Sequence, residues 1–205
     1  MCEIGAVVLA AGRSSRFRAE GGQEVSKLVA EFGGKPLVRH AAEAALASRA
    51  RPVVVVTGHA REAVEAALAG LPLLFAHNAD FASGLASSLK VGVAALPAHV
   101  AGALVLLGDM PAIEAPLLDR LIGAFAARPL ALAAAPVHAG RRGNPVLLSR
   151  ALFPALARLK GDEGARRLLS EADPQRIVEV DVEGDEVTLD IDTPGELAAA
   201  RKLRS

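Results

Sequence analysis

Short apolar runs alternate with longer alanine-rich stretches along most of the chain. Ile4–Ala10, Pro52–Thr57, Leu73–His77 and Ala103–Leu107 have strand length and end at polar or glycine residues, which predicts β-strands. Between them, Lys35–Arg49, Arg61–Ala69 and Gly84–Leu96 carry high helix propensity, with Leu, Val and Ala recurring at helical spacing. The second half is less regular. Leu130–Val137, Pro145–Leu148, Arg176–Val180 and Glu186–Ile191 read as strands, and Leu152–Lys160 and Glu163–Glu171 as helices. A last helix runs from Pro194 to Leu203, with Thr193 as its N-cap. Near-continuous apolar strands alternating with helices imply a mostly parallel sheet covered on both faces. The predicted fold is therefore doubly wound α/β, one domain over residues 1–205, without repeats or linkers.

Composition narrows the function classes. Of the residues, 52% are hydrophobic and 43 are alanine, which leaves enough larger side chains for a core and excludes disorder. Lys+Arg and Asp+Glu are both 23, so a globally basic nucleic-acid binder is excluded, while local clusters can still grip phosphates. Aromatics are 3%, with no Trp or Tyr, so stacking platforms for single-stranded nucleic acid are nearly absent. A lone cysteine, Cys2, supports neither a disulfide framework nor a cysteine-built zinc site. The opening Met1-Cys2-Glu3 lacks a basic segment, and the run Val100–Leu107 is far short of the roughly 20 residues of a spanning helix. The expectation is a cytoplasmic protein with neither a membrane nor a nucleic-acid partner.

Ligands in such sheets bind at the carboxyl ends of the strands. The tails there are Ala11-Gly12-Arg13-Ser14-Ser15-Arg16, Gly58-His59, His77-Asn78, Gly108-Asp109-Met110-Pro111, Gly143-Asn144-Pro145 and Asp190-Ile191-Asp192-Thr193-Pro194. Small residues after the first strand let backbone N–H groups approach a phosphate, and Arg13 and Arg16 add bidentate donors. Neither G-x-x-x-x-G-K-[ST] nor G-x-G-x-x-G occurs. Lys27 can return a third positive charge to the same place. Asp109 stands at a strand end, and Asp190 and Asp192 offer a further carboxylate; magnesium asks for one or two of these plus phosphate oxygens. Alone, each Asp caps a turn as readily as it binds metal, but two such sites beside an arginine loop point to phosphoryl-group chemistry. The five histidines, His40, His59, His77, His99 and His138, are scattered, and no nucleophile elbow supports an acyl-enzyme.

Several segments together carry a resemblance. Leu9-Ala10-Ala11-Gly12-Arg13-Ser14-Ser15-Arg16-Phe17, Lys27-Leu28 and Gly34-Lys35-Pro36-Leu37 look like the opening of the nucleotidyltransferases with a MobA-like domain. Val56-Thr57-Gly58-His59, the stretch from His77 to Leu89, Gly108-Asp109-Met110-Pro111 and Asp190–Pro194 resemble its molybdenum cofactor cytidylyltransferase branch, in order over essentially the whole chain. The resemblance implies a Rossmann-like nucleotidyltransferase fold and Mg²⁺-dependent transfer of a cytidylyl group from CTP to the terminal phosphate of molybdopterin, with release of pyrophosphate. It places Leu9, Ala10, Ala11, Gly12 and Arg13 against the nucleotide, with Gly58 nearby. Gly84, Ser87 and Ser88 would sit beside the base or ribose. It gives Arg16 and Lys27 the phosphates, and Asp109 and Asp192 the metal. The Ala-Ala-Gly form of the first motif looks more like cytidylyl than guanylyl transfer. Two departures stand out. The segment Arg18–Ser26 is glycine-rich and longer than in relatives, a candidate mobile lid. Asn144 stands on the acceptor side where relatives commonly show His, and it cannot change charge near neutral pH. The alternatives are guanylyl transfer from GTP, another phosphorylated acceptor such as a sugar phosphate, and a non-catalytic module that delivers cofactor to a molybdoenzyme.

Overall fold

The computed structural model describes residues 3–185, 187–188 and 190–203; Cys2, Glu186 and Leu189 lie outside them. Its strands are β1 (Ile4–Ala10), β2 (Glu31–Phe32), β3 (Lys35–Pro36), β4 (Val53–Thr57), β5 (Leu74–His77), β6 (Gly102–Leu107), β7 (Ala133–His138), β8 (Arg141–Arg142), β9 (Val146–Ser149) and β10 (Ile177–Asp181). The α-helices are α1 (Ser15–Ala19), α2 (Leu37–Ala47), α3 (Arg61–Ala67), α4 (Leu85–Ala94), α5 (Ala115–Ala126), α6 (Phe153–Leu156), α7 (Ala165–Glu171) and α8 (Pro194–Leu203).

Eight strands form one sheet in the order β10-β7-β9-β6-β1-β4-β5, with β8 paired to the end of β7. β1 runs parallel to β4 and β6, β4 to β5, and β7 to β10, while β9 lies antiparallel between β6 and β7. The period of two along β1 explains why both faces need covering. Ala6, Val8 and Ala10 join the core under α2, α3 and α5, whereas Val7, Leu9 and Ala11 join the core under α4, α6 and α7. From β1 the chain winds to β4 and β5 on one side, then crosses to β6 on the other. That reversal opens the crevice between β1 and β6 in which ligands of such sheets bind.

Three expectations need correction. The helix expected over Lys35–Arg49 starts at Leu37, because Lys35-Pro36 pairs with Glu31-Phe32 across a turn in which Gly33 and Gly34 have φ of 56° and 82°. Of Leu152–Lys160, only Phe153–Leu156 is α-helix, after which Leu159 N–H bonds back to Leu156 in a turn. The strand expected over Glu186–Ile191 is not one among its described residues. Val187 and Thr188 form a turn, with Thr188 N–H bonded to Asp185, and Ile191 is irregular. Its apolar spacing has another cause: Val187 and Ile191 are each buried, in different clusters.

A small third cluster fixes the site's surroundings. Phe17 of α1, Ala30, Phe32, Leu37 of α2, Ile191 and Leu197 of α8 pack together. This cluster anchors the base of the Arg18–Ser26 segment, which turns back through Gly21 (φ 91°) with Gly22 N–H bonded to Phe17 carbonyl at 2.9 Å. Among the described residues, no helix is long and apolar enough to cross a membrane.

Candidate active site

Three segments converge at the carboxyl ends of β1 and β6. After β1, Ser14 adopts the left-handed conformation (φ 51°). Its hydroxyl lies 3.0 Å from Ser26 Oγ and accepts from Lys27 N–H at 3.1 Å. Ser26 is fully buried and caps the 3₁₀ turn Lys27–Val29 by accepting from Leu28 N–H. The two serines therefore fix where Lys27 starts. After β6, Asp109 carbonyl accepts from Ile191 N–H at 3.1 Å, which ties the third segment to the second. Burial of Ile191, worth about 1.5–3 kcal/mol for a side chain of this kind, holds Asp190 and Asp192 on either side of it at the site. A capping box closes the arrangement: Glu196 N–H donates to Thr193 Oγ1, while Thr193 N–H and Asp192 N–H donate to Glu196 Oε2.

The result is a charge cluster. Lys27 Nζ lies 2.7 Å from Asp109 Oδ2 and 2.5 Å from Asp192 Oδ1, and Arg16 pairs with the other Asp192 oxygen. Lys27 and Asp109 side chains are only 12% and 16% exposed, whereas Arg16 is 77% exposed, so the inner pair is shielded and the outer one screened. Burial alone would lower the Lys27 pKa, but Asp109 and then Asp192 outweigh it and hold the ammonium above the ordinary lysine value. Burial pushes Asp192 up; Lys27 and Arg16 reverse this and leave it below the ordinary carboxylate range. Asp190, open to solvent on one side, is raised by partial desolvation first and then by the charges of Asp109 and Asp192.

Carboxylate oxygens of Asp109, Asp190 and Asp192 lie within 4.8 Å of one another, and Asp109 Oδ1 is buried without a hydrogen-bond partner among the described residues. Three convergent oxygen donors, one of them unsatisfied, fit a hard divalent cation.

A cavity of about 420 Å³ opens beside this cluster, lined by Leu9, Ala11, Gly12, Arg13, Lys27, Gly84, Ser88 and Asp109 among others. A Cβ built on Gly12 meets nothing within 4 Å, so the glycine leaves room in the cavity rather than in the protein. Gly84 has a φ of 108°, and a Cβ there would lie 2.3 Å from Gly161 carbonyl, so only glycine permits this approach. Ser88 reaches the cavity, whereas Ser87 faces a neighbouring cleft beyond α4. Ala10 and Gly58 stand behind the cavity wall: Ala10 is buried in the core under α2, and Gly58 lies against Ala11 and Phe81.

Asn144 lies elsewhere, in two adjoining cavities of about 380 and 310 Å³. Both also contain Arg142, Gly143 and Arg166; the first shares Leu9, Leu85, Leu107 and Asp162 with the Lys27 cavity, and the second reaches Asp190. Arg142, Asp162 and Arg166 went unread in the sequence because nothing in local spacing links them to the loop after β1. Among the described residues, no histidine lines the three cavities.

Comparison with known proteins gives the chain a family. Residues 6–177 match the model of the MobA-like NTP transferase domain. The bifunctional protein GlmU of Anaeromyxobacter sp. (strain Fw109-5) is 39% identical over 134 residues, covering 63% of this chain but 26% of GlmU, so the chain spans about a quarter of that relative's length. Nicotine blue oxidoreductase of Paenarthrobacter nicotinovorans is 32% identical over 195 residues, 91% of each chain. The crystal structure of Rv0371c from Mycobacterium tuberculosis H37Rv superposes with a TM-score of 0.84 at 28% identity over 98% of both chains, and its manganese complex with 0.78 at 26%, again over 98% of both. By the extent of the domain match, the chain belongs to the MobA-like NTP transferase family.

Proposed function

We propose that the protein is a Mg²⁺-dependent cytidylyltransferase that moves the cytidylyl group of CTP onto the terminal phosphate of a molybdopterin-type acceptor. The observation that carries this reading is the Lys27–Asp109–Asp192 cluster beside the Gly12 loop, where both signs of charge meet at the mouth of one cavity. In the reaction an acceptor phosphate oxygen attacks the α-phosphorus, a P–O bond forms, the bond to the β-phosphate breaks and pyrophosphate leaves. Arg13 and Lys27, which line the cavity with Ala11 and Gly12, would offset negative charge on the triphosphate, and Arg16, paired with Asp192, would add to them. Asp109 and Asp192, joined by Asp190, would hold Mg²⁺, which when bound neutralises phosphate oxygens; the manganese complex of Rv0371c supports divalent metal use.

The acceptor side is the pair of cavities around Asn144. The larger has apolar walls from Leu85, Leu89, Val105, Leu107, Val146 and Leu169, which suit the flat body of a pterin. Arg142 and Arg166 line both and are placed to take an anionic group. Asn144 supplies hydrogen bonds there without titrating.

The test is incubation with each NTP, Mg²⁺ or Mn²⁺ and the molybdenum cofactor, with pyrophosphate as readout. Release with CTP preferred is expected, and Asp109→Asn should abolish it in a folded protein. No turnover with any NTP overturns the reading. The similarity to nicotine blue oxidoreductase over 91% of each chain favours a second reading, an oxidoreductase. Redox turnover of nicotine blue with a supplied electron donor or acceptor, unaffected by Asp109→Asn, would select it.

A further inference from the structure

The geometry points to Asn78 as a positioning residue that fixes the hydroxyl proton of Ser88 so that it donates into the nucleotide cavity. This rests on the proposed nucleotide occupancy of that cavity and goes beyond it by naming the polarity of one contact and the residue that sets it.

Asn78 follows β5 and is 2% exposed. Its backbone N–H donates to Thr57 carbonyl at the end of β4, 2.8 Å away. The orientation of its side-chain amide is dictated rather than chosen. Asp80 N–H can only donate, and it lies 3.0 Å from Asn78 Oδ1, so that atom is the oxygen and its partner the NH₂ group. The two amide protons then go to Ser87 Oγ at 2.8 Å and Ser88 Oγ at 3.0 Å.

The two hydroxyls, each an acceptor from Asn78, differ in what they do with their own protons. Ser87 Oγ lies 2.8 Å from Gly84 carbonyl and 3.0 Å from Asp80 carbonyl, and so spends its proton inside the protein. Ser88 Oγ has no such acceptor among the described residues, and Ser88 lines the cavity that also holds Lys27 and Asp109. A hydroxyl that accepts from behind presents its proton in front. Ser88 therefore has its proton to give, and the ligand atom that takes it is an acceptor, such as a base carbonyl oxygen, a ring nitrogen or a ribose oxygen.

The test is a double-mutant cycle on nucleotide affinity, read by titration calorimetry with CTP and Mg²⁺ on the full chain. Ser88→Ala should weaken binding about three- to tenfold, the range of one net hydrogen bond. Asn78→Asp keeps the shape and still accepts from Asp80 N–H, but its carboxylate draws the Ser88 proton backward, so the same loss is expected. In the Ser88→Ala background Asn78→Asp should then have no further effect, a coupling that a merely structural role would not produce. Additive losses, or unchanged binding in Ser88→Ala, overturn the inference while leaving the transferase reading intact. Wild-type protein that binds none of the four nucleotides removes both. Should Asn78→Asp not fold, the smaller, neutral Asn78→Ser takes its place in the cycle with the same expectation.

Discussion

Lys27 Nζ lies 2.7 Å from Asp109 Oδ2, so the carboxylate best suited to a divalent cation already holds a cation of the protein. The same ammonium reaches Asp192, and together the contacts hold two aspartates that would otherwise repel at close range. A metal arriving with the nucleotide would compete for these oxygens, and the lysine it releases would be free to meet the triphosphate.

Replacing Lys27 with methionine, of similar length and without charge, should therefore tighten Mn²⁺ binding several-fold in the absence of nucleotide. Turnover should fall about 10²–10³-fold, as for loss of one donor to developing charge. Mn²⁺ titration by electron paramagnetic resonance and a pyrophosphate assay check the two halves. Unchanged or weaker Mn²⁺ affinity would show that lysine and metal do not share the carboxylates.

The ionisable cluster also shapes stability against pH. Asp192 ionises in the folded protein below its unfolded value of about 3.9. Its contribution is fully present above that value and is lost as pH falls through the lower folded one. Lys27 is raised, so its contribution is present below about 10.4 and is lost as pH rises through the higher folded value. Asp190 works in the opposite sense. Its folded value lies above 3.9, so stability falls as pH rises through that window. Thermal midpoints without metal should then show Asp190→Asn more stable than wild type at pH 7, with the gap closing in acid. A less stable Asp190→Asn would mean that its carboxylate is held by an attraction outweighing Asp109 and Asp192.

On the acceptor side, Arg166→Gln should raise KM for the acceptor tenfold or more and leave KM for the nucleotide within twofold, because Arg166 lines both Asn144 cavities and not the Lys27 cavity. Initial rates with each substrate varied in turn separate the two constants. Equal effects on both would place Arg166 outside the acceptor subsite.

Much of this site was legible before the structure, for a physical reason. Ligands collect at strand ends, so finding β1 and β6 by their apolar runs also located Gly12, Arg16 and Asp109. What escaped was long-range. Helix α5 was overlooked, although Pro116 in its first turn and Leu117, Leu118, Leu121, Ile122 and Phe125 trace a buried stripe. Helix α1 is five residues long and owes its place to Phe17 in a cluster with Ile191 and Leu197, contacts that no window of sequence contains. The same is true of Val187, whose carbonyl accepts from Asn144 N–H at 2.8 Å. Its apolar alternation with neighbours imitated a strand because two separate cores each demanded one residue.

Two glycines of the nucleotide-side set make opposite demands, which a pair of alanine substitutions should separate. A Cβ on Gly12 meets nothing within 4 Å beyond its chain neighbours, and Gly12 lines the cavity where the phosphates are expected. Gly12→Ala should fold with an unchanged or slightly higher thermal midpoint, since alanine narrows the unfolded ensemble, while CTP affinity drops at least tenfold. A Cβ on Gly58 lies 2.7 Å from both the carbonyl oxygen and the Cβ of Ala11, and 2.8 Å from Phe81 Cβ, closer than real contacts allow. Gly58→Ala should cost about 1–3 kcal/mol of overpacking, and about 2–4 °C of midpoint for each kcal/mol in a chain of this size. Its effect on CTP should follow the displacement of Ala11, so a second change at Ala11 to glycine, removing one of the clashing atoms, should recover part of both. Scanning calorimetry and CTP titration on the three proteins decide between them. Loss of stability in Gly12→Ala with CTP binding intact would mean that the loop's glycine serves the fold and not the ligand.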